Sequence, residues 1–264
     1  MSNSFLLIGS AKSGKSTFLA VNFFLLQSVE RKQQVFLEEN DKKTANTLLE
    51  WQEQLNEGLF PKRNKIQENY PLNLSLWLSR KKQIKINNYD VSGELYNKFD
   101  PRSESSFDES PLEETEEEKL IDELIKDSLI HVVIINANIV KNEKLLRIHD
   151  DFYHFILNRI RALTKYKYNN FIPVILVFTK IDALELDNTF NPVLFAKKFF
   201  PKTYKQYNFF FSSKAYKKGI FACSIGEVEG NSEDDTSKIR KFEPKGYMEV
   251  MDLIINIIQK ENKS

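Results

Sequence analysis

The sequence predicts an α/β protein: a mostly parallel central sheet with helices on both faces, three layers in all. Short apolar runs alternate along the chain with stretches of helical periodicity. Two of these runs, His131–Ala137 and Ile172–Thr179, are apolar almost without a break, as strands covered on both faces of a parallel sheet are. A third observation is positional. In such sheets ligands sit at the carboxyl ends of strands, and Gly9, Asp90, Thr179 and Ser224, each part of a candidate motif, all stand where a run ends.

The elements follow in order. Phe5–Ile8 is the first strand, and Lys15–Val29, apolar nearly all round, is a helix buried between the sheet and other elements. Gln34–Glu38 is a short strand. Asn40 or Asp41 caps a helix whose face is Ala45, Leu48, Leu49 and Leu55, and Gly58 ends it. The segment from Leu59 to Gln67 is an irregular loop. Leu72–Leu78 and Gln83–Tyr89 alternate apolar and polar and form a hairpin across Arg80-Lys81-Lys82.

Composition then shifts. Glu104–Asp127 holds eleven acidic residues against two lysines, so residues 97–119 are expected as a flexible acidic insertion. Within Glu113–Leu129 the spacing of Leu120, Ile121, Leu124, Ile125 and Leu129 predicts a helix. Asn142–Lys165 is a long amphipathic helix with Leu145, Phe152, Ile156, Ile160 and Leu163 on its stripe. Asn191-Pro192 opens a short helix, and Gly219–Ser224 is the last strand. Residues 226–245 are expected as a loop, and a helix carrying Tyr247, Met251, Ile254, Ile255 and Ile258 closes the chain. Residues 1–264 thus read as one domain with insertions, long enough for a sizeable core at 41% apolar residues.

Composition excludes several classes. A net charge of +1 gives no global attraction to nucleic acid or acidic lipid. The single cysteine, Cys223, lies in an apolar run, which excludes a disulfide framework and fits a reducing compartment. No run reaches the ~18 apolar residues of a membrane span. Phe5–Ile8 is too short for a signal peptide, and neither end carries a lipidation signature. The expectation is a soluble, cytoplasmic protein. His131, His149 and His154 show no metal-ligand spacing.

The segment Gly9-Ser10-Ala11-Lys12-Ser13-Gly14-Lys15-Ser16-Thr17 fits G-x-x-x-x-G-K-[ST], the phosphate-binding loop, with a strand before it and a helix after. Gly9 and Gly14 permit torsions that let successive N–H groups curl around anionic oxygens. The following helix points its positive end at the same place. Lys15 brings a full charge to the β/γ-phosphates, and the Ser16 hydroxyl is a ligand for Mg²⁺.

Three further segments follow: Asp90-Val91-Ser92-Gly93 (D-x-x-G), Thr179-Lys180-Ile181-Asp182 ([NT]-K-x-D) and Cys223-Ser224-Ile225. With these four in this order, the chain resembles the Ras-like, translation-factor-related class of P-loop GTPases. The loop Gly58-Leu59-Phe60-Pro61 and the extra helix before it are similar to prokaryotic small GTPase domains. The resemblance implies a P-loop NTPase fold, a Ras-like G domain with insertions, that binds GTP or GDP with Mg²⁺ held by Ser16 and Asp90. It implies a γ-phosphate contact from the Gly93 N–H. It assigns guanine recognition to Thr179, Lys180, Asp182, Ser224 and Ile225. A carboxylate at Asp182 accepts two N–H bonds from guanine that adenine does not offer.

The chain departs from the family in two places. Glu94 stands where many members have the glutamine that orients the attacking water, which implies slow hydrolysis. No threonine is identified as the switch-I Mg²⁺ ligand; Arg63 in that loop is either an arginine acting in cis or a solvated residue. The expected function is therefore a GTPase switch, with a nucleotide-dependent scaffold of little or no turnover as the alternative. A protein effector or regulator would meet the switch segments and the acidic tract. Lys197–Lys218, with seven lysines and no acid among aromatics, reads either as a nucleic-acid or anionic-lipid surface or as a solvated face over core aromatics.

Overall fold

The computed structural model describes residues 4–10, 12–28, 35–39, 41–61, 74–78, 82–90, 116–164, 173–184, 190–210, 219–230 and 238–261. The elements are β1 (Ser4–Gly9), α1 (Lys15–Ser28), β2 (Val35–Glu39), α2 (Lys42–Asn56), β3 (Leu74–Leu78), β4 (Lys82–Asp90), α3 (Glu116–Asp127), β5 (Ile130–Asn136), α4 (Glu143–Thr164), β6 (Val174–Thr179), α5 (Pro192–Phe199), α6 (Pro201–Phe210), β7 (Ile220–Ala222), β8 (Ser224–Glu229), β9 (Lys238–Lys245) and α7 (Tyr247–Glu261).

Seven strands form one sheet in the order β2-β3-β4-β1-β5-β6-β7. The pairs β4·β1, β1·β5, β5·β6 and β6·β7 are parallel. β3 runs antiparallel to both its neighbours, β4, which follows it in the chain, and β2, from which α2 separates it in sequence. The expected antiparallel pair is present as β3–β4, with Lys82 already in β4; residues 79–81 lie outside the described residues.

Strand alternation divides the core in two. Phe5 and Leu7 of β1 point to one face with Val132 and Ile134 of β5; there they meet α1, α2 and α7. Leu6 and Ile8 point to the other with Val133 and Ile135, against α3, α4, α5 and α6. Each such side chain, fully withdrawn from water, contributes about 1.5–3 kcal/mol. The unbroken apolar runs of β1, β5 and β6 follow from having helices on both faces.

Local chemistry sets the ends. Asp41 caps α2 by accepting from the Thr44 N–H at 2.8 Å, and Gly58, just past its end, takes φ +72°. Asn191 caps α5 by accepting from the Val193 and Leu194 N–H groups.

Four expectations change. Residues 226–245 are not simply a loop: β8 and β9 pair as an antiparallel hairpin, with Gly226 opposite Phe242 and Val228 opposite Ile239. Its large apolar side chains are Ile225, Val228, Ile239 and Phe242, too sparse for alternation to stand out. On α2 the buried face is Thr44, Thr47, Leu48, Trp51 and Leu55, while Leu49 is 52% exposed. On α4 Leu145 is 40% exposed, whereas its neighbour Leu146 packs against the core. Finally, Ser224 does not end a sheet strand but begins β8, two residues past β7.

In the described half of Lys197–Lys218, Phe200 and Tyr207 are buried and Lys202 pairs with Asp151 on α4. In the same segment Phe209 is 77% exposed, so its aromatics are core only in part. The acidic tract before Glu116, and residues 211–218, lie outside the described residues. Among the described residues no helix is long and apolar enough to cross a membrane, and no group of His, Cys, Asp and Glu is arranged to hold a metal ion.

Candidate nucleotide site

The site begins where β1 gives way to α1. Gly14 takes φ +95°, a region side chains avoid, and a Cβ there would meet the Thr179 hydroxyl at 3.1 Å. Gly9 is needed for space: a Cβ on it would sit 2.5 Å from the Ile134 carbonyl oxygen. Lys12 is left-handed as well, at φ +59°. The Ser13 N–H turns back to the Ser10 carbonyl at 3.2 Å, closing the loop.

Lys15 is buried at 3% exposure, and its ammonium lies across the loop it serves. It donates to the Gly9 carbonyl at 2.7 Å, the Ser10 carbonyl at 2.9 Å and the Ser13 hydroxyl at 3.2 Å. These three oxygens are neutral and do not cancel its charge, so the loop is a cradle suited to phosphate. Ser16 and Thr17, half-buried, lie in the first turn of α1.

Register brings β4 to the same place. β4 runs beside β1, and Asp90 is the Cα partner of Gly9. The D-x-x-G motif thus starts one strand away from the loop. Ala11, Arg63, Gly93 and Glu94 lie outside the described residues.

On the other side, β5 separates β1 from β6. Thr179, the last residue of β6, donates its hydroxyl to the Ser13 carbonyl at 2.5 Å and also lies 3.2 Å from the Ile135 carbonyl. This hydroxyl is engaged with the phosphate loop, so it acts as a brace between two strand ends. Lys180 follows at φ +58°, a sharp bend that turns the chain into the 3-10 turn Ile181–Leu184. Lys141, at the end of the 3-10 turn Ala137–Lys141, donates to the Ala183 carbonyl at 2.7 Å and ties the turn after β5 to the turn after β6.

Asp182 lies in that turn, and its carboxylate accepts from the Ile225 N–H at 3.4 Å. Burial pushes the Asp182 carboxyl above its ordinary range; its own backbone N–H, the Ile225 N–H, the Lys180 charge and the Ser224 hydroxyl oppose that. Ser224 and Ile225 therefore share the corner with Asp182, as the motif order implies. Cys223 is buried, and burial, with the nearby Glu249, raises its thiol well above its ordinary value. It is a core residue.

Sequence reasoning missed two features here. One is the bracing role of Thr179. The other is Tyr153 on α4, whose hydroxyl lies 3.2 Å from that of Ser10. A tyrosine on an amphipathic stripe carries no signal beyond core packing, so nothing local marked it.

Comparison with known proteins bears on this geometry. A search of curated proteins finds no match. Among solved structures the chain is similar to an ADP-ribosylation-factor-like GTP-binding protein, the small COPII coat GTPase SAR1 of Encephalitozoon cuniculi, in complex with GDP. That similarity has 12% identity and a TM-score of 0.41, over all of this chain and 82% of the other. The family described as Double-GTPase 1 matches residues 6–150, from the phosphate loop through Asp90 into α4. With more than half its length matched, and with the loop built as a phosphate cradle, the chain belongs to the double-GTPase 1 family.

Proposed function

We propose that this chain binds GTP and GDP with Mg²⁺, hydrolyses GTP slowly and works as a cytoplasmic molecular switch. The observation that carries the reading is the bond from Thr179 to the Ser13 carbonyl, 2.5 Å long. It joins the strand that leads to Asp182 to the loop that carries Lys15. A phosphate end and a base end are thereby presented to one ligand.

The roles divide as follows. Lys15 and the N–H groups from Ser10 to Thr17 hold the phosphates. Asp182 accepts two donors from guanine, with Lys180, Ser224 and Ile225 lining the base and Thr179 bracing the loops. Ser16, in the first turn of α1, and Asp90, at the end of the strand beside β1, are assigned to Mg²⁺, since hydroxyl and carboxylate oxygens suit it better than a softer metal. Bound there, Mg²⁺ supplies charge that offsets the negative phosphate oxygens. Gly93, Glu94 and Arg63 are assigned from motif position alone: Gly93 to the γ-phosphate, Glu94 to the water, Arg63 to charge developing during transfer. An effector protein would engage the segments after Pro61 and Asp90 together with the acidic tract.

A titration tests the reading. Fluorescent GTP and ATP are compared with and without Mg²⁺, using Lys15→Ala as the control. GTP is expected to bind at least about tenfold tighter than ATP, from two charge-assisted hydrogen bonds of ~1.5–3 kcal/mol each. Equal affinities would remove the base assignment. Single-turnover hydrolysis no faster than in buffer would favour the scaffold over the GTPase switch.

A further inference from the structure

We propose that Tyr153 is a positioning residue for the phosphate loop, fixing Ser10 from the far side of the sheet and thereby setting how long a nucleotide stays bound. The inference rests on the reading of Gly9–Ser16 as the nucleotide site.

Tyr153 lies midway along α4 and is wholly withdrawn from solvent. Its ring is held by Phe152 at 5.0 Å, edge-on, and by His149 at 5.8 Å. Its hydroxyl donates to the Ile134 carbonyl at 3.1 Å. Burial pushes the phenol up to about 12, so it keeps its proton near neutral pH. That single proton is committed to Ile134, whose carbonyl can only accept. The Ser10 hydroxyl, 3.2 Å away, must therefore donate to the Tyr153 oxygen. Ser10 is itself buried at 5%.

The consequence runs through Lys15. The same Ser10 offers its carbonyl to the Lys15 ammonium at 2.9 Å and to the Ser13 N–H at 3.2 Å. Ile134, the other partner of Tyr153, is also the residue whose carbonyl limits space at Gly9. One phenol oxygen thus bridges the end of β5 and the start of the phosphate loop, and α4 carries it. Without it, Ser10 is free to rotate and the carbonyl pair that aims Lys15 is less well fixed. The free loop is then less preorganised, and nucleotide is held less tightly.

The test is a double-mutant cycle on nucleotide dissociation. Tyr153→Phe keeps the ring and removes only the hydroxyl. Release of fluorescent GDP is expected to speed up about 3- to 10-fold, the range of one net hydrogen bond. The nucleotide-free protein should lose melting temperature with the buried bond, and the GDP-bound form should lose more, by the weakened binding. In a Ser10→Ala background the same substitution should add little, because the pair acts as a unit. Unchanged GDP release, fully additive effects, or equal losses of melting temperature with and without GDP would each overturn the proposal. If the wild-type chain itself bound no nucleotide, the reading of the loop would fall and this inference with it. Normal wild-type binding with an unaffected Tyr153→Phe variant would remove the inference alone.

Discussion

Asp182 and Ile225 meet at 3.4 Å, carboxylate oxygen to backbone nitrogen, although 43 residues separate them. The contact joins the turn after β6 to the start of β8 and leaves a half-buried acid at the corner where a base would sit. Asp182→Asn should weaken GTP about 10- to 100-fold, since it replaces a charged acceptor of two donors by an amide. Xanthosine triphosphate should gain, because the amide can donate to its 2-oxo group. Calorimetric affinities for both nucleotides check this; unchanged GTP affinity would refute the role of Asp182.

The brace at Thr179 can be removed with little change of shape. Thr179→Val keeps the branched side chain of β6 and deletes the hydroxyl, leaving the Ser13 carbonyl without this donor. Stability should fall by about 1–3 kcal/mol, and GTP affinity should fall alongside it. Urea unfolding and nucleotide titration on the same sample measure the two effects. Full retention of affinity would show that the loop holds its shape without β6.

Gly9 tolerates no side chain in the present backbone. In Gly9→Ala the new Cβ would stand 2.5 Å from the Ile134 carbonyl oxygen and 2.7 Å from the Ser13 hydroxyl. The carbonyl cannot rotate away, so the loop must move off β5. A loss of about 1–3 kcal/mol is expected, together with loss of nucleotide binding. Binding equal to wild type would mean the loop shifts without consequence.

The hairpin is anchored at Gly58. The Ile239 N–H donates to the Gly58 carbonyl at 2.6 Å, and a Cβ on Gly58, already at φ +72°, would lie 2.7 Å from the Ile239 carbonyl oxygen. Gly58→Ala should destabilise the chain by about 1–3 kcal/mol and speed hydrogen exchange at Ile239 before other strands. Exchange at Ile239 as slow as in the wild type would argue against that anchorage.

His149 gives a pH signature. Burial lowers it from 6.5 to about 4, so the native state keeps it neutral while the unfolded chain protonates it. A depressed value means the unfolded state binds more protons between these limits. Its contribution is complete above pH 6.5 and is lost as pH falls toward 4, up to about 3 kcal/mol. Unfolding free energies measured across that window should slope downward on acidification, and His149→Gln should flatten the slope. An identical slope in the variant would place the titration elsewhere.

What was legible in the chain was what neighbours in sequence decide. Gly9, Gly14, Lys15 and Ser16 could be read because torsion, charge and helix start all lie within eight residues. Apolar continuity marked β1, β5 and β6. The caps at Asp41 and Asn191 were legible because a cap bonds only to the next turn. The β8–β9 hairpin was not: its strands are rich in charge with few apolar residues, although Ile225 and Ile239 reach the core and Phe242 meets Phe24 of α1. Leu49 and Leu145 fit a helical stripe yet face water, because periodicity gives a face but not how far the neighbouring layer extends.

By itself the sequence determined that a phosphate loop stands between a buried strand and a buried helix, and that an aspartate, Asp90, ends a later strand. Only the tertiary structure decided that Thr179 reaches Ser13 across 166 positions and that Tyr153 reaches Ser10 across 143. Local torsions and alternation act over a few residues, whereas those pairs depend on the order β4-β1-β5-β6. That order is chosen by the packing of both faces at once.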